Sequence, residues 1–132
     1  MDRCVLVRPA AGVPGSTGVT YASGISATTA GARALCLELA TLPPGAHGKP
    51  HLHAGHESAA YVLSGELTLW FGARLEERVT ARAGDFLYIP SGVPHLPANA
   101  SATEPAVAVL ARTDPGEQES AVPLPDLEGL VT

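Results

Sequence analysis

The stretch "GAHGKPHLHAGHES", Gly45 to Ser58, carries four of the five histidines in a chain of 132 residues, the fifth being His95. At its centre His51-Leu52-His53 sets two imidazoles two residues apart. Side chains on an extended strand alternate between faces, so this spacing sends both rings to one side. A third ligand must then come from the next turn or from a neighbouring strand. Glu57 and His56 are near enough in sequence to supply it. His95, in "PSGVPH" beyond a proline–glycine turn, can close the set from across a barrel. Three neutral imidazoles and one carboxylate suit one divalent transition metal per chain: Fe, Mn, Ni, Co, Cu or Zn. On a six-coordinate ion they leave two positions for water or substrate.

The sequence around this stretch reads as strands. Fourteen glycines and twelve prolines fall at short intervals between runs rich in Val, Leu, Thr and aromatics, the pattern of an all-β chain. Strands are predicted at residues 3–8, 19–28, 32–41, 59–65, 66–72, 75–82, 85–90 and 106–113. In "ARALCLELAT" Leu35, Leu37 and Leu39 share one face against Cys36 and Glu38. In "ELTLWFG" Leu67, Leu69 and Phe71 oppose Thr68 and Trp70. No run holds a 3.6-residue period over the length of a helix. Eight or so short strands predict a closed barrel or a double-sheet jelly roll, either of which limits exposed strand edges.

Two spacings tie the histidines to a known family. Gly45 is followed by five residues, His51-Leu52-His53, three residues, Glu57, and Gly65 after seven more. Further on, Gly84, Pro90, Gly92, His95 and Asn99 fit G-x5-P-x-G-x2-H-x3-N without a gap. These resemble the two signature motifs of the cupin superfamily, in the expected order, over Pro44 to about Arg112. The resemblance implies a single-domain double-stranded β-helix, the cupin jelly-roll barrel, over residues 1–113, with the motifs in 45–99 and an acidic tail at 114–132. It also implies metal ligation by His51, His53, Glu57 and His95. One departure stands out. The usual motif has six residues between its glutamate and the closing glycine, so counting back from Gly65 reaches Ser58. A one-residue excess swaps strand faces unless a β-bulge absorbs it. A bulge near 57–60 is therefore expected to keep Glu57 inward, with His56 as the alternative ligand in a four-histidine site.

Charge and length narrow the functional classes. Up to Thr113 eight acidic residues balance eight basic ones, and the net −5 arises from Asp114, Glu117, Glu119, Asp126 and Glu128. No basic stripe is available for a phosphate backbone, so nucleic acid is not an expected partner. The apolar run near the N-terminus is too short for a signal-peptide core, and no segment approaches about 20 apolar residues, so a cytoplasmic, non-membrane protein is expected. Cys4 and Cys36 form no metal-ligand spacing and read as buried, inert thiols. The tail is expected either to fray or to lie over the barrel through Val122, Leu124, Leu127 and Leu130. The resemblance implies a metal-dependent enzyme acting on a small organic substrate, with dioxygenase chemistry first and isomerase, decarboxylase or lyase chemistry also on the menu. The alternative is a non-catalytic module for a small ligand or sugar. His56, Tyr61 and Tyr88 are the candidate proton-transfer residues, and a homodimer is expected to cover exposed edges and surface aromatics.

Overall fold

Two antiparallel sheets face each other in a computed structural model that describes residues 3–9, 12–14, 19–116 and 120–131. One sheet has the strand order β1 (Val13–Pro14), β2 (Thr20–Ile25), β3 (Cys36–Leu42), β10 (Ala106–Arg112), β5 (Ser58–Ser64) and β8 (Phe86–Ile89). The other runs β11 (Ala121–Pro123), β4 (His51–His53), β9 (His95–Ala98), β6 (Glu66–Phe71) and β7 (Glu77–Arg82). From β3 to β11 the chain changes sheet at every connection except the β6–β7 hairpin, which is the winding of a jelly roll. Among the described residues helix is confined to two single turns, α1 (Ala27–Ala30) and a 3-10 turn at Pro125–Leu127. In α1 the Ser26 hydroxyl accepts from the Thr29 amide, Thr29 Oγ1 accepts from the Ser26 amide, and Gly31 ends the turn in the left-handed region.

The core lies between the sheets. Val19, Leu42, Val62, Leu67, Ala81 and Ala106 are among its buried members. The strand β3 enters it with the face opposite to that suggested by its leucines. Cys36, Glu38, Ala40 and Leu42 point inward, while Leu37 and Leu39 are exposed. Alternation states that two faces differ, and the partner strand decides which of them is inside. Here Glu38 turns inward because a cation waits there: Arg112 on β10 reaches its carboxylate at 3.0 Å, both side chains being 1% exposed.

Some expected elements move. Residues 3–8 form no strand, and Val5 and Leu6 are exposed, because a strand needs a hydrogen-bonded neighbour as well as an apolar run. The predicted strand at 19–28 stops at Ile25, where Ser26 caps α1. Cys4 is exposed, against expectation, whereas Cys36 is buried. The tail adds β11 to the edge of β4, with Ala121 opposite His53 and Pro123 opposite His51. Backbone pairing holds it there, and of its apolar residues Leu124 and Leu127 are half-buried while Val122 and Leu130 are exposed.

Candidate metal centre

The two motifs meet where β4 lies against β9. His51 and His95 are direct cross-strand partners, and His53 follows on the same face of β4 as His51. Their rings sit 4.3 Å (His51–His95), 5.1 Å (His51–His53) and 5.5 Å (His53–His95) apart between centroids. One ring nitrogen from each lies within 4.8 Å of the others, and all three residues are buried. The turn at Ser91–Gly92 that presents His95 is tied back to the first motif, where the Gly92 amide donates to the His53 carbonyl at 3.0 Å. Asn99 closes the second motif as a brace. Its Nδ2 donates to the carbonyls of Leu42 (3.0 Å) and Glu104 (2.8 Å), and its Oδ1 accepts from the Ser101 amide at 3.0 Å. Gly65 is required where it stands: at φ +73° a Cβ there would lie 2.2 Å from the Pro105 carbonyl oxygen.

Hydrogen bonds fix which nitrogen of each ring is free. His51 Nδ1 lies 2.7 Å from the Lys49 carbonyl and His95 Nδ1 lies 2.9 Å from the Val93 carbonyl. A carbonyl only accepts, so both Nδ1 atoms carry the proton and both Nε2 atoms present lone pairs. His53 Nδ1 meets the Ser120 hydroxyl at 3.0 Å, and that hydroxyl in turn bonds the Asp114 carboxylate. The carboxylate takes the hydroxyl proton, so Ser120 accepts from His53 Nδ1 and the third Nε2 is free as well. Burial, the chief cause in each case, holds His51 below its ordinary range, His53 at about 3 and His95 at about 4, with the Arg112 charge adding to the effect. Neutral imidazoles with converging lone pairs are the form a metal ion requires, and the residues fit one.

The other expected site residues lie elsewhere. Glu57 is exposed, and Tyr88 Oη donates to its Oε1 at 2.6 Å. No bulge occurs at 57–60, where β5 and β8 pair in unbroken register. The irregularity falls instead opposite Val107–Ala108, at Leu63, so the extra residue is absorbed after Ala60. Ser58 therefore takes the inward position, buried and lining the cavity, and its hydroxyl has no partner among the described residues. His56 is part-buried, with Nδ1 3.9 Å from Asp114 Oδ2, and is not brought to the triad. Tyr61 and Tyr88 point outward from β5 and β8, as do Leu63 and Phe86. Exposed His47 bonds the carbonyl of Gly48 and also stands apart.

The triad opens into a cavity of about 60 Å³ lined by residues of both sheets. Apart from the triad, Ser58 and Tyr21, the lining is apolar, with Leu42, Leu69, Ile89 and Leu110 among it. A buried polar group lies beyond one wall. Glu38 pairs with Arg112, and Cys36 Sγ donates to Glu38 at 3.8 Å. Burial first, then the nearby carboxylates, push this thiol up to about 11, so it stays protonated and inert. Asp114 ends the group; burial raises its pKa, but bonds from Gly116 and Ser120 outweigh that and hold it below its ordinary value.

Residues 38–112 match the model of the cupin domain. The chain belongs to the cupin family. No curated protein matches it by sequence. Among solved structures, this cupin is similar to Bacillus subtilis oxalate decarboxylase, whose Mn(II) centres have been described. The identity is 20% and the TM-score 0.69, over 90% of this chain and 29% of that one. It is also similar to a candidate sugar phosphate isomerase from Acidithiobacillus ferrooxidans, at 28% identity and TM-score 0.57, over 70% of this chain and 58% of that one. The cupin thus spans under a third of the decarboxylase chain. No helix among the described residues is long and apolar enough to cross a membrane.

The sequence pointed to His51, His53 and His95, which the fold gathers, and missed the role of Ser120. Nothing local marks that serine, because it lies 67 residues from His53 and becomes its neighbour only when β11 pairs with β4.

Proposed function

We propose that this cupin is a mononuclear metal enzyme acting on a small organic molecule, with the ion held by His51, His53 and His95. The observation that carries this reading is the convergence of three buried, neutral imidazoles whose Nδ1 atoms are all engaged, leaving three Nε2 lone pairs facing one cavity. A bound divalent ion would supply Lewis acidity toward substrate oxygen atoms, or oxygen chemistry if it is iron. The chain's own contribution is to orient the rings, exclude bulk water with an apolar lining and limit the substrate to a small size. Glu57 lies outside the ligand set in this reading, and His56, Tyr61 and Tyr88 lie outside the cavity. A homodimer covering the exposed aromatics of β5 and β8, in the cytoplasm, completes the proposal.

One observation favours a second reading, a ligand-binding module. Tyr21 is the only titratable side chain lining the cavity besides the triad, among the described residues, so few groups are placed to move a proton. The two readings separate in one assay. Protein loaded in turn with Fe(II), Mn(II), Ni(II), Co(II), Cu(II) and Zn(II) is incubated with small 2-oxo acids, dicarboxylates and β-dicarbonyls, with dissolved oxygen and substrate followed together. An enzyme consumes substrate with one metal and not with His51→Ala protein. A binding module shows metal-dependent binding with no turnover under any loading.

A further inference from the structure

We propose that Ser58 is a ligand-contacting residue of this site, and that the site takes a small organic monoanion chelating the ion through two oxygens, the Ser58 hydroxyl donating to one of them. This rests on the metal-centre reading and deepens it. Ser58 is 3% exposed, it lines the same cavity as the triad from the opposite sheet, and its hydroxyl has no partner among the described residues. A buried hydroxyl without a partner is destabilising unless something else satisfies it. The hydroxyl stands at the place where the motif spacing, counted back from Gly65, puts a carboxylate. The unbroken alternation of Ser58, Ala60 and Val62 thus presents a neutral donor to the cavity side and leaves the Glu57 carboxylate exposed.

Charge balance then selects the ligand. A divalent ion on three neutral imidazoles brings +2, whereas buried Arg112, Glu38 and Asp114 together bring −1, without any of their charged groups lining the cavity. The buried assembly is left at +1, so a monoanion neutralises it and a neutral ligand does not. The apolar lining excludes a second charge and accepts a short hydrocarbon body. A cavity of about 60 Å³ favours a ligand of few heavy atoms.

The test uses the Co(II)-loaded full chain, whose visible spectrum reports coordination without any assumption about turnover. Pyruvate is the monoanionic chelator and pyruvamide its neutral counterpart. Wild-type protein is expected to bind one Co(II) and to change spectrum with pyruvate at concentrations at least tenfold below those needed for pyruvamide. Ser58→Ala is expected to keep its Co(II) affinity and lose roughly tenfold in pyruvate affinity, the worth of one hydrogen bond to a charged acceptor. Ser58→Glu is expected to bind Co(II) more tightly and to lose the pyruvate response. Equal pyruvate affinity in wild type and Ser58→Ala would overturn the role of Ser58, and equal affinity for pyruvate and pyruvamide would overturn the monoanion. Failure of the wild type to bind Co(II) would overturn the metal-centre reading itself, and the inference with it.

Discussion

The three histidines are held in their neutral form by burial, and this makes the apoprotein acid-sensitive. His53 and His95 sit at about 3 and about 4 in the fold, against 6.5 for an ordinary imidazole. Below pH 6.5 the unfolded chain therefore takes up protons that the folded chain refuses. The contribution to stability is fully present above that pH and is lost as pH falls toward the folded values, at about 1.4 kcal/mol per unit of displacement. The urea midpoint of the apoprotein is expected to fall between pH 6.5 and 4, and the fall to shrink in a His53→Gln, His95→Gln protein. A midpoint flat across that window would contradict the burial argument. At this scale the ligand pair was legible because the period of two in His51-Leu52-His53 survives in any strand. The fourth position was not. Whether Glu57 or Ser58 faces inward depends on where β5 absorbs its extra residue, and that is set by pairing with β10, more than 40 residues away in sequence.

Among the elements, β11 does more for the centre than its three residues suggest. It covers the outer edge of β4, the strand bearing two of the three histidines, and it is entered through Ser120, which links His53 to Asp114. Ser120→Ala is expected to lower metal affinity about 10- to 100-fold, the usual cost of removing a hydrogen-bond partner of a metal-bound histidine. Ser120→Thr, which keeps the hydroxyl, is expected to retain most of the affinity. Titration against a chelator of known affinity reads both. Equal loss in the two variants would show that β11 acts only by covering the edge. The longer strands were readable from alternation: β6, β7, β8 and β10 fall within their expected runs, and β5 is displaced by one residue, starting at Ser58 and ending at Ser64. The inward face of β3 was not, because three leucines outvote Glu38 until Arg112 is known to lie across from it. Three-residue β11 carries too little pattern to announce itself in an acidic tail.

For the whole molecule, the jelly roll leaves one sheet with an apolar outer surface. Leu39, Val109, Tyr61 and Phe86 line up across β3, β10, β5 and β8 by register. Phe86 is 81% exposed and Tyr88 58%, and the Tyr61 and Phe86 rings lie 4.7 Å apart. A contiguous apolar patch of this kind is the surface that the proposed homodimer would bury. The homodimer proposed above predicts a sedimenting mass of two chains at micromolar concentration. Phe86→Glu is expected to return it to one chain without changing metal content, and a wild-type monomer at millimolar concentration would contradict this. Everything else proposed depends on an ion at the triad, and the most direct test is metal analysis of the protein as purified and after reconstitution, beside a His51→Ala, His53→Ala double variant. About one transition-metal ion per chain is expected in the wild type and none in the variant. A wild-type protein that takes up no metal under reconstitution, or a double variant that retains it, would contradict a metal centre at the triad.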